Sequence, residues 1–91
     1  MKSHTAPEFR QRFSALPAEI RSQARAAYRL FQKNPRHPGL HFKRVHGSKR
    51  LVSARIGRSY RAVGVLHASD EVVWFWIGPH DEYEKVLQSL V

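Results

Sequence analysis

The sequence predicts an α+β domain in which an N-terminal helical hairpin packs on a four-stranded antiparallel sheet and a short C-terminal helix follows. Three observations support this prediction. Apolar residues recur at helical spacing up to Phe31, the period changes to two from Leu40, and helical spacing returns after Gly78-Pro79. With 91 residues, of which 42% are hydrophobic, the chain is long enough for one core but not for two. We therefore expect a single domain over residues 1–91.

Two helices are predicted before the loop at residues 34–39. Thr5-Ala6-Pro7-Glu8 has the spacing of a capping box, and the helix that follows ends near Leu16 because Pro17 disfavours a helical residue before it. Pro17 can open the second helix. One face of that helix is apolar and carries Ile20, Ala24, Ala27, Tyr28 and Phe31. A separate basic ridge, which is either a binding surface or a solvated face, carries Arg21, Arg25 and Arg29.

Four strands are predicted after the loop, which is dense in proline and glycine. They cover residues 40–46, 50–56, 60–67 and 72–77, and the short turns between them, including the one at residues 68–70, indicate an antiparallel meander. The fourth strand contains both tryptophans and is predicted to be buried on both faces. Gly78-Pro79 ends it because proline has no N–H to donate. A short helix is predicted over residues 81–90.

The positive charge of the chain is concentrated in one part of the sequence. The net charge is +9, and residues 20–69 hold twelve Lys or Arg and no Asp or Glu, whereas residues 70–91 hold five acids and one lysine. Eleven of the 16 cations are arginines, which suit bidentate contacts with phosphate. The pattern favours nucleic acid or another polyanion as a partner, and the alternative is a basic surface without a partner.

Composition and motifs exclude several protein classes. The absence of cysteine excludes a disulfide framework and a thiolate zinc site. None of the six histidines has the spacing of a zinc-binding helix, and the sequence contains no Walker loop, dinucleotide fingerprint or G-x-S-x-G elbow. We therefore expect no metal and no cofactor. The longest apolar run is too short to span a bilayer and the N-terminus lacks the apolar segment of a signal peptide, so we expect a cytoplasmic protein without membrane contact.

Four polar side chains are predicted to converge on one end of the sheet inside a basic groove, namely Arg55, Arg61, His80 and Tyr83. His80 and Tyr83 directly follow the strand with both tryptophans, so a rigid core element would position them. Taken alone, His80 is a weak signal because a single histidine is often only a packing residue. For Arg61 the alternative is a salt bridge to Asp81 or Glu82, since an unpaired buried charge is costly.

Several segments resemble the RelE/ParE superfamily of toxins from type II toxin–antitoxin modules. They are the helical hairpin that includes Leu16-Pro17, Gly39-Leu40-His41-Phe42-Lys43, Ser59-Tyr60-Arg61-Ala62-Val63 and Trp76-Ile77-Gly78-Pro79-His80-Asp81-Glu82-Tyr83. The resemblance runs from about Phe9 to the C-terminus. It implies a toxin with a RelE/ParE-like fold that is neutralised by a cognate acidic antitoxin covering the basic surface. For the RelE branch it also implies an mRNA interferase, an endoribonuclease that cleaves mRNA in the ribosomal A site and so inhibits translation.

The resemblance also assigns roles to individual residues. Arg61 matches the family arginine that holds the scissile phosphate, His80 falls where members place a histidine or arginine acting as acid or phosphate ligand, and Tyr83 falls near the family's C-terminal tyrosine. These three are the expected catalytic residues. The expected RNA- and phosphate-binding residues are Lys43, Arg44, Lys49, Arg50, Arg55 and Arg58. In the implied mechanism the ribose 2′-OH attacks the adjacent phosphorus, the 5′-oxygen leaves, and cations stabilise the added charge.

Two features depart from the family pattern. Family members usually begin with a strand before the hairpin, and here only a few residues precede Pro7, so either the sheet lacks that strand or residues 2–5 form a short version of it. Ser53 stands where the RelE type has one of a pair of lysines. Two other functions therefore stay open: a ParE-like toxin that inhibits DNA gyrase without catalysis, and an inactive basic binding module. The combination of His80 and Tyr83 favours the nuclease.

Overall fold

Five strands form one mixed sheet in the computed structural model, which describes residues 1–68 and 70–90. The strands are β1 (Lys2–Thr5), β2 (Lys43–Arg44), β3 (Leu51–Ile56), β4 (Tyr60–Leu66) and β5 (Glu71–Pro79). Their order across the sheet is β1-β5-β4-β3-β2, with β1 parallel to β5 and all other neighbours antiparallel. The helices are α1 (Pro7–Ser14), α2 (Ala18–Lys33) and α3 (His80–Leu90), and a 3₁₀ turn spans Pro38–Leu40. The α+β class, the helical hairpin and the C-terminal helix are confirmed.

The sheet has five strands and not the predicted four, because residues at the N-terminus form β1. The Lys2 N–H donates to the Asp70 carbonyl and the Ala6 N–H to the Trp74 carbonyl, each at 2.8 Å. The indole Nε1–H of Trp74 also donates to Ser3 Oγ at 2.8 Å. The proposed capping box does not form, since β1 extends through Thr5 and Ala6 is the N-cap of α1. Long-range pairing with β5 thus takes precedence over the local capping pattern.

The predicted strand at residues 40–46 is mostly wrong. Only Lys43–Arg44 pairs with β3, and Pro38–Leu40 forms the 3₁₀ turn. Pro38 has a fixed φ and no N–H, which suits the first position of such a turn. The side chains of this segment do alternate between buried and exposed positions. Leu40 is 2% exposed, His41 is exposed, and Phe42 packs against Phe31 with ring centres 5.0 Å apart. The same pattern arises here without a hydrogen-bonded ladder.

Strand β5 is covered on both faces, as predicted, but by two separate cores. The larger core lies between the sheet and the hairpin of α1 and α2, and its members from β5 are Val72, Trp74 and Ile77. The smaller core lies under α3 and is formed by Val63, Trp76 and Tyr83. The two tryptophans therefore stabilise opposite faces of the sheet, although they are two residues apart.

A β-bulge allows Trp74 and Trp76 to reach different faces. Val63 of β4 pairs with Trp76 and the next residue, Gly64, pairs with Trp74, so Phe75 is an extra residue in β5. Phe75 packs against the smaller core together with Trp76. Glycine is required at position 64 because a Cβ there would lie 2.9 Å from Trp74 Cε3. The bulge thus sets which aromatic rings support the hairpin and which support α3.

Strand β5 runs two residues further than predicted. Gly78 pairs with Arg61 and Pro79 with Tyr60, and α3 then begins at His80 without a connecting loop.

The predicted turn at residues 68–70 includes Ser69, which lies outside the described residues, as does Val91 at the end of the predicted domain. None of the described helices is both long enough and apolar enough to cross a membrane.

Candidate functional site

Arg61, His80 and Tyr83 meet where β4, β5 and α3 join. Arg61 lies opposite Gly78 in the ladder between β4 and β5, two residues before His80. The His80 N–H donates to the Ser59 carbonyl at 2.6 Å, which fixes the start of α3 against the beginning of β4. The direct passage from strand to helix therefore places the imidazole beside the guanidinium, as the sequence predicted.

The three side chains are in mutual contact. Arg61 Nε donates to His80 Nδ1 at 3.3 Å, and the guanidinium carbon of Arg61 lies 5.1 Å from the centre of the Tyr83 ring. The rings of His80 and Tyr83 stack with centres 5.9 Å apart and planes inclined by 20°. Tyr83 is 7% exposed and belongs to the core under α3 with Val63 and Trp76. The buried ring of Tyr83 therefore holds both the Arg61 guanidinium and the His80 imidazole in position.

Arg61 determines where His80 carries its proton. A guanidinium can only donate, so Nδ1 is the acceptor and the neutral imidazole holds its hydrogen on Nε2. Within the described part of the chain, Arg61 Nη1 is buried and has no hydrogen-bond partner. A buried N–H without a partner is costly. The salt bridge considered for Arg61 is not present, since neither Asp81 nor Glu82 forms an ion pair with it among the described residues.

A pocket of about 200 Å³ opens beside this cluster. Its lining side chains are His41, Arg55, Arg58, Tyr60, Arg61 and His80. Three of them are arginines, and no carboxylate lines the pocket among the described residues. Such a site favours a phosphate group over a cation. In residues 1–68 and 70–90 no group of three or more His, Asp or Glu side chains could hold a metal ion.

The predicted phosphate-binding residues divide into two groups. Arg55 and Arg58 line the pocket, and Arg55 Nε donates to the Gly57 carbonyl at 2.8 Å, which tethers that guanidinium at the pocket. The other four are exposed on β2 and on the turn that leads to β3, and the pocket lining does not include them. We call these four residues the strand-edge cations: Lys43, Arg44, Lys49 and Arg50.

Two residues that line the pocket were not predicted, His41 and Tyr60. Tyr60 starts β4 opposite Pro79, next to Arg61 in the chain. His41 precedes β2 and comes from the segment at residues 40–46, whose alternating pattern predicts a strand. A signal for His41 was present, since it stands between the apolar residues Leu40 and Phe42 and so emerges on the opposite side from them.

A second, larger pocket of about 550 Å³ lies between α1, α2 and the sheet. Its lining is mainly aromatic and aliphatic, and three arginines also contribute to it: Arg10, Arg25 and Arg29. The predicted basic ridge on α2 is therefore divided. Arg25 and Arg29 border this apolar pocket, whereas Arg21 Nη1 donates to the Leu16 carbonyl at 2.6 Å and stabilises the connection between the helices.

Comparisons with known structures find toxins of the same fold. The RelB–RelE antitoxin–toxin complex from Methanococcus jannaschii matches with a TM-score of 0.72 at 15% identity, covering 91% of this chain and 96% of that chain. The archaeal RelE–RelB complex from Pyrococcus horikoshii OT3 matches with a TM-score of 0.67 at 14% identity, covering 87% and 93%. The isolated E. coli RelE toxin matches with a TM-score of 0.66 at 13% identity, covering 99% and 98%. At these identities the likeness shows the fold alone.

The sequence itself also identifies a family. None of the curated proteins matches this chain significantly. A family model described as the ParE-like toxin domain matches residues 18–85, which extend from the start of α2 into α3 and include Arg61, His80 and Tyr83. The match covers well over half of the sequence. The chain therefore belongs to the ParE-like toxin domain family, within the RelE/ParE superfamily of toxins.

Proposed function

We propose that this protein is the toxin of a type II toxin–antitoxin module and that it inhibits translation by cleaving mRNA on the ribosome. The observation that carries this proposal is the contact of Arg61 and His80 on the Tyr83 ring, beside a pocket lined by arginines. The pocket combines phosphate-binding charge with imidazole, the side chain best suited to exchange protons near neutral pH. A toxin that acts only by binding another protein does not require that combination.

Each residue of the cluster has a distinct role in the proposed reaction. The Arg61 guanidinium, which lines the pocket, donates to a non-bridging phosphate oxygen and stabilises the negative charge that develops when the 2′-OH attacks phosphorus. His80 donates from Nε2 to the same phosphate group. Tyr83 holds both groups in position through its buried ring. Arg55 and Arg58 neutralise the charge of the bound phosphate and of its neighbours.

The strand-edge cations extend the basic surface away from the pocket. Lys43 and Arg44 lie on β2, which is an edge strand of the sheet, and Lys49 and Arg50 lie in the turn before β3. All four are exposed. Contacts between such side chains and phosphates are independent of base sequence, so this surface suits the backbone of mRNA or of ribosomal RNA.

Expression in growing cells tests the proposal. After induction, primer extension on cellular mRNA should show new 5′ ends within translated regions and none when translation is blocked beforehand. A ParE-like inhibitor of DNA gyrase is the alternative, and the ParE-like family match favours it. Growth arrest with intact mRNA and an SOS-type DNA-damage response would establish that alternative and reject RNA cleavage.

An acidic antitoxin is the partner in this proposal. Two of the matching structures are complexes in which a RelE protein is bound to a RelB antitoxin. In this chain, residues 20–69 carry twelve cations and no acid. The apolar pocket between α1, α2 and the sheet, with Arg25 and Arg29 beside it, suits an amphipathic segment that has acidic residues next to its apolar face.

Rising salt concentration is expected to weaken the toxin–antitoxin complex steeply, because much of the attraction arises between the basic surface and acidic residues. Titration calorimetry at low and high salt measures the effect. Arg29→Ala should reduce the salt dependence, whereas Lys85→Ala, a change outside residues 20–69, should leave it unchanged. An affinity that is the same at both salt concentrations would contradict this prediction and indicate an apolar interface anchored by residues such as Phe42 or Leu51.

A further inference from the structure

The proposed cleavage requires a group that accepts the proton of the 2′-OH, and most side chains of the small pocket cannot do so. Guanidinium groups have no acceptor, which excludes the three arginines. A phenol such as that of Tyr60 would have to give up its own proton before it could act as a base. His80 has its Nδ1 occupied by Arg61, and its Nε2 carries a hydrogen in the neutral ring. No carboxylate of the described chain lines the pocket.

We infer that His41 is the proton acceptor of the reaction, an inference that rests on the proposed RNA-cleaving function. His41 lines the same pocket as Arg61 and His80 and is exposed to solvent, so that RNA can reach it. Among the described lining residues it is the one with an imidazole nitrogen that no other described side chain occupies. The pocket thus contains two histidines with different tasks, one that accepts a proton and one that donates a hydrogen bond.

The backbone at His41 supports this assignment independently. His41 has φ 45° and ψ 39°, the left-handed conformation that residues other than glycine adopt at an energetic cost. Such strain persists only where the surroundings enforce it, and it is concentrated at functional sites. Here the neighbours enforce it: Leu40 and Phe42 are both held in the main core, and the His41 N–H donates to the Pro38 carbonyl at 3.2 Å. The backbone position from which the imidazole extends is therefore fixed by the core.

The proposed step transfers one proton and replaces one P–O bond by another. A neutral ring nitrogen of His41 takes the proton of the ribose 2′-OH while the 2′-oxygen forms a bond to phosphorus. The bond between phosphorus and the 5′-oxygen breaks, which leaves a 2′,3′-cyclic phosphate and a 5′ end. The departing 5′-oxygen takes a proton from water, and the proton on His41 then passes to solvent. Both histidines are back in their starting forms at the end of the reaction.

Every charged or titratable group that faces His41 in the pocket comes from a different segment than its own. They are Arg55 on β3, Arg58 in the turn between β3 and β4, Tyr60 and Arg61 on β4, and His80 at the start of α3. Guanidinium groups have no acceptor site, so the two histidines are the imidazole groups whose roles the variants have to separate. Removing each histidine in turn separates their contributions.

The test uses the full-length toxin on ribosomes programmed with mRNA, with the cleavage rate at saturating toxin measured across the titration range of imidazole. The wild-type rate should fall towards acid pH as the proton acceptor becomes protonated. His41→Asn should cleave roughly a hundredfold more slowly at neutral pH. Its rate should no longer decrease towards acid pH. Asparagine tolerates the left-handed backbone, so this variant should retain the fold. His67→Ala removes an exposed histidine outside the pocket and should behave as wild type.

A second variant separates proton transfer from backbone strain. His41→Gly relieves the strained conformation and should be at least as stable as wild type, yet equally slow, and added free imidazole should restore part of its rate. Cleavage by His41→Asn at the wild-type rate and pH dependence, with Arg61→Ala and His80→Ala inactive, would overturn the assignment of His41 alone. Failure of the wild-type protein to cleave mRNA under any condition would instead overturn the proposed function.

Discussion

Arg61→Ala is expected to reduce mRNA cleavage by roughly a hundredfold or more while the protein stays folded. The guanidinium has two contacts in the cluster, through Nε to His80 and through its face to Tyr83. In the proposed reaction it makes a third contact, with the bound phosphate, because it also lines the pocket. Only the contact with phosphate forms when substrate is bound. The main effect of Arg61→Ala is therefore a loss of stabilisation of the charged transition state. Tyr83 remains packed against Val63 and Trp76, which preserves the support of α3.

His80→Ala should lower cleavage by about a hundredfold, because it removes a donor to the phosphate group. Induced expression with growth and primer extension monitored together measures both variants, and thermal unfolding verifies that each is folded. Lys85→Ala, an exposed change on the same helix as His80, is the matched control and should stay toxic. If both the arginine and the histidine variant stay fully toxic with intact mRNA and DNA damage, the RNA-cleaving function is wrong and gyrase inhibition replaces it.

Arg61→Lys distinguishes charge from geometry at this position. A lysine keeps the positive charge but cannot donate through a planar fork to His80 and to phosphate at the same time. We expect Arg61→Lys to recover only a small part of the activity lost in Arg61→Ala. Recovery of the full wild-type rate would indicate that the site needs a positive charge alone and that the contact with His80 has no role.

The local parts of the site could be predicted from the sequence, and the parts that depend on long-range geometry could not. His80 and Tyr83 are three residues apart on one helix, so their proximity follows from local structure. Arg61 could be assigned because short turns fix the neighbouring strands of a meander. His41 was missed because alternating burial looks the same in a strand and in the 3₁₀ turn with a left-handed residue that is present here.

Strand β1 could not be predicted with certainty from local sequence either, because it depends on a long-range pairing. Residues Lys2–Thr5 are short and polar, and their pairing partner lies about seventy residues further along the chain. Nothing local distinguishes such a segment from a disordered end, because the hydrogen bonds that stabilise it form only when β5 is in place. The bulge at Phe75 is equally hidden, since it is visible only in the register between β4 and β5. The two tryptophans were correctly placed in one strand, but their separation onto two faces required the structure.

Trp74→Ala is expected to destabilise the fold by about 3–5 kcal/mol, a large part of the stability of a domain of this size. Trp74 is 4% exposed and meets the rings of Phe31 and Phe42 edge-on, with centres 5.6 and 6.1 Å away. Its indole also donates to Ser3, so one side chain connects β1, α2 and the segment that carries His41. Alanine would leave a cavity among these elements. Chemical denaturation measures the loss in the free energy of unfolding. The measurement uses protein that also carries Arg61→Ala, because cells should tolerate the expression of a less toxic variant.

Two milder changes separate packing from the hydrogen bond of Trp74. Ser3→Ala removes only the acceptor and should cost about 1 kcal/mol, chiefly by loosening β1. Trp74→Phe keeps an aromatic ring beside Phe31 but loses the donor, so its cost should fall between those of Ser3→Ala and Trp74→Ala. If Trp74→Ala unfolds at the same denaturant concentration as its parent, the hairpin and β1 do not depend on this side chain. The core would then have to be stabilised mainly by the aliphatic residues of β3 and β4.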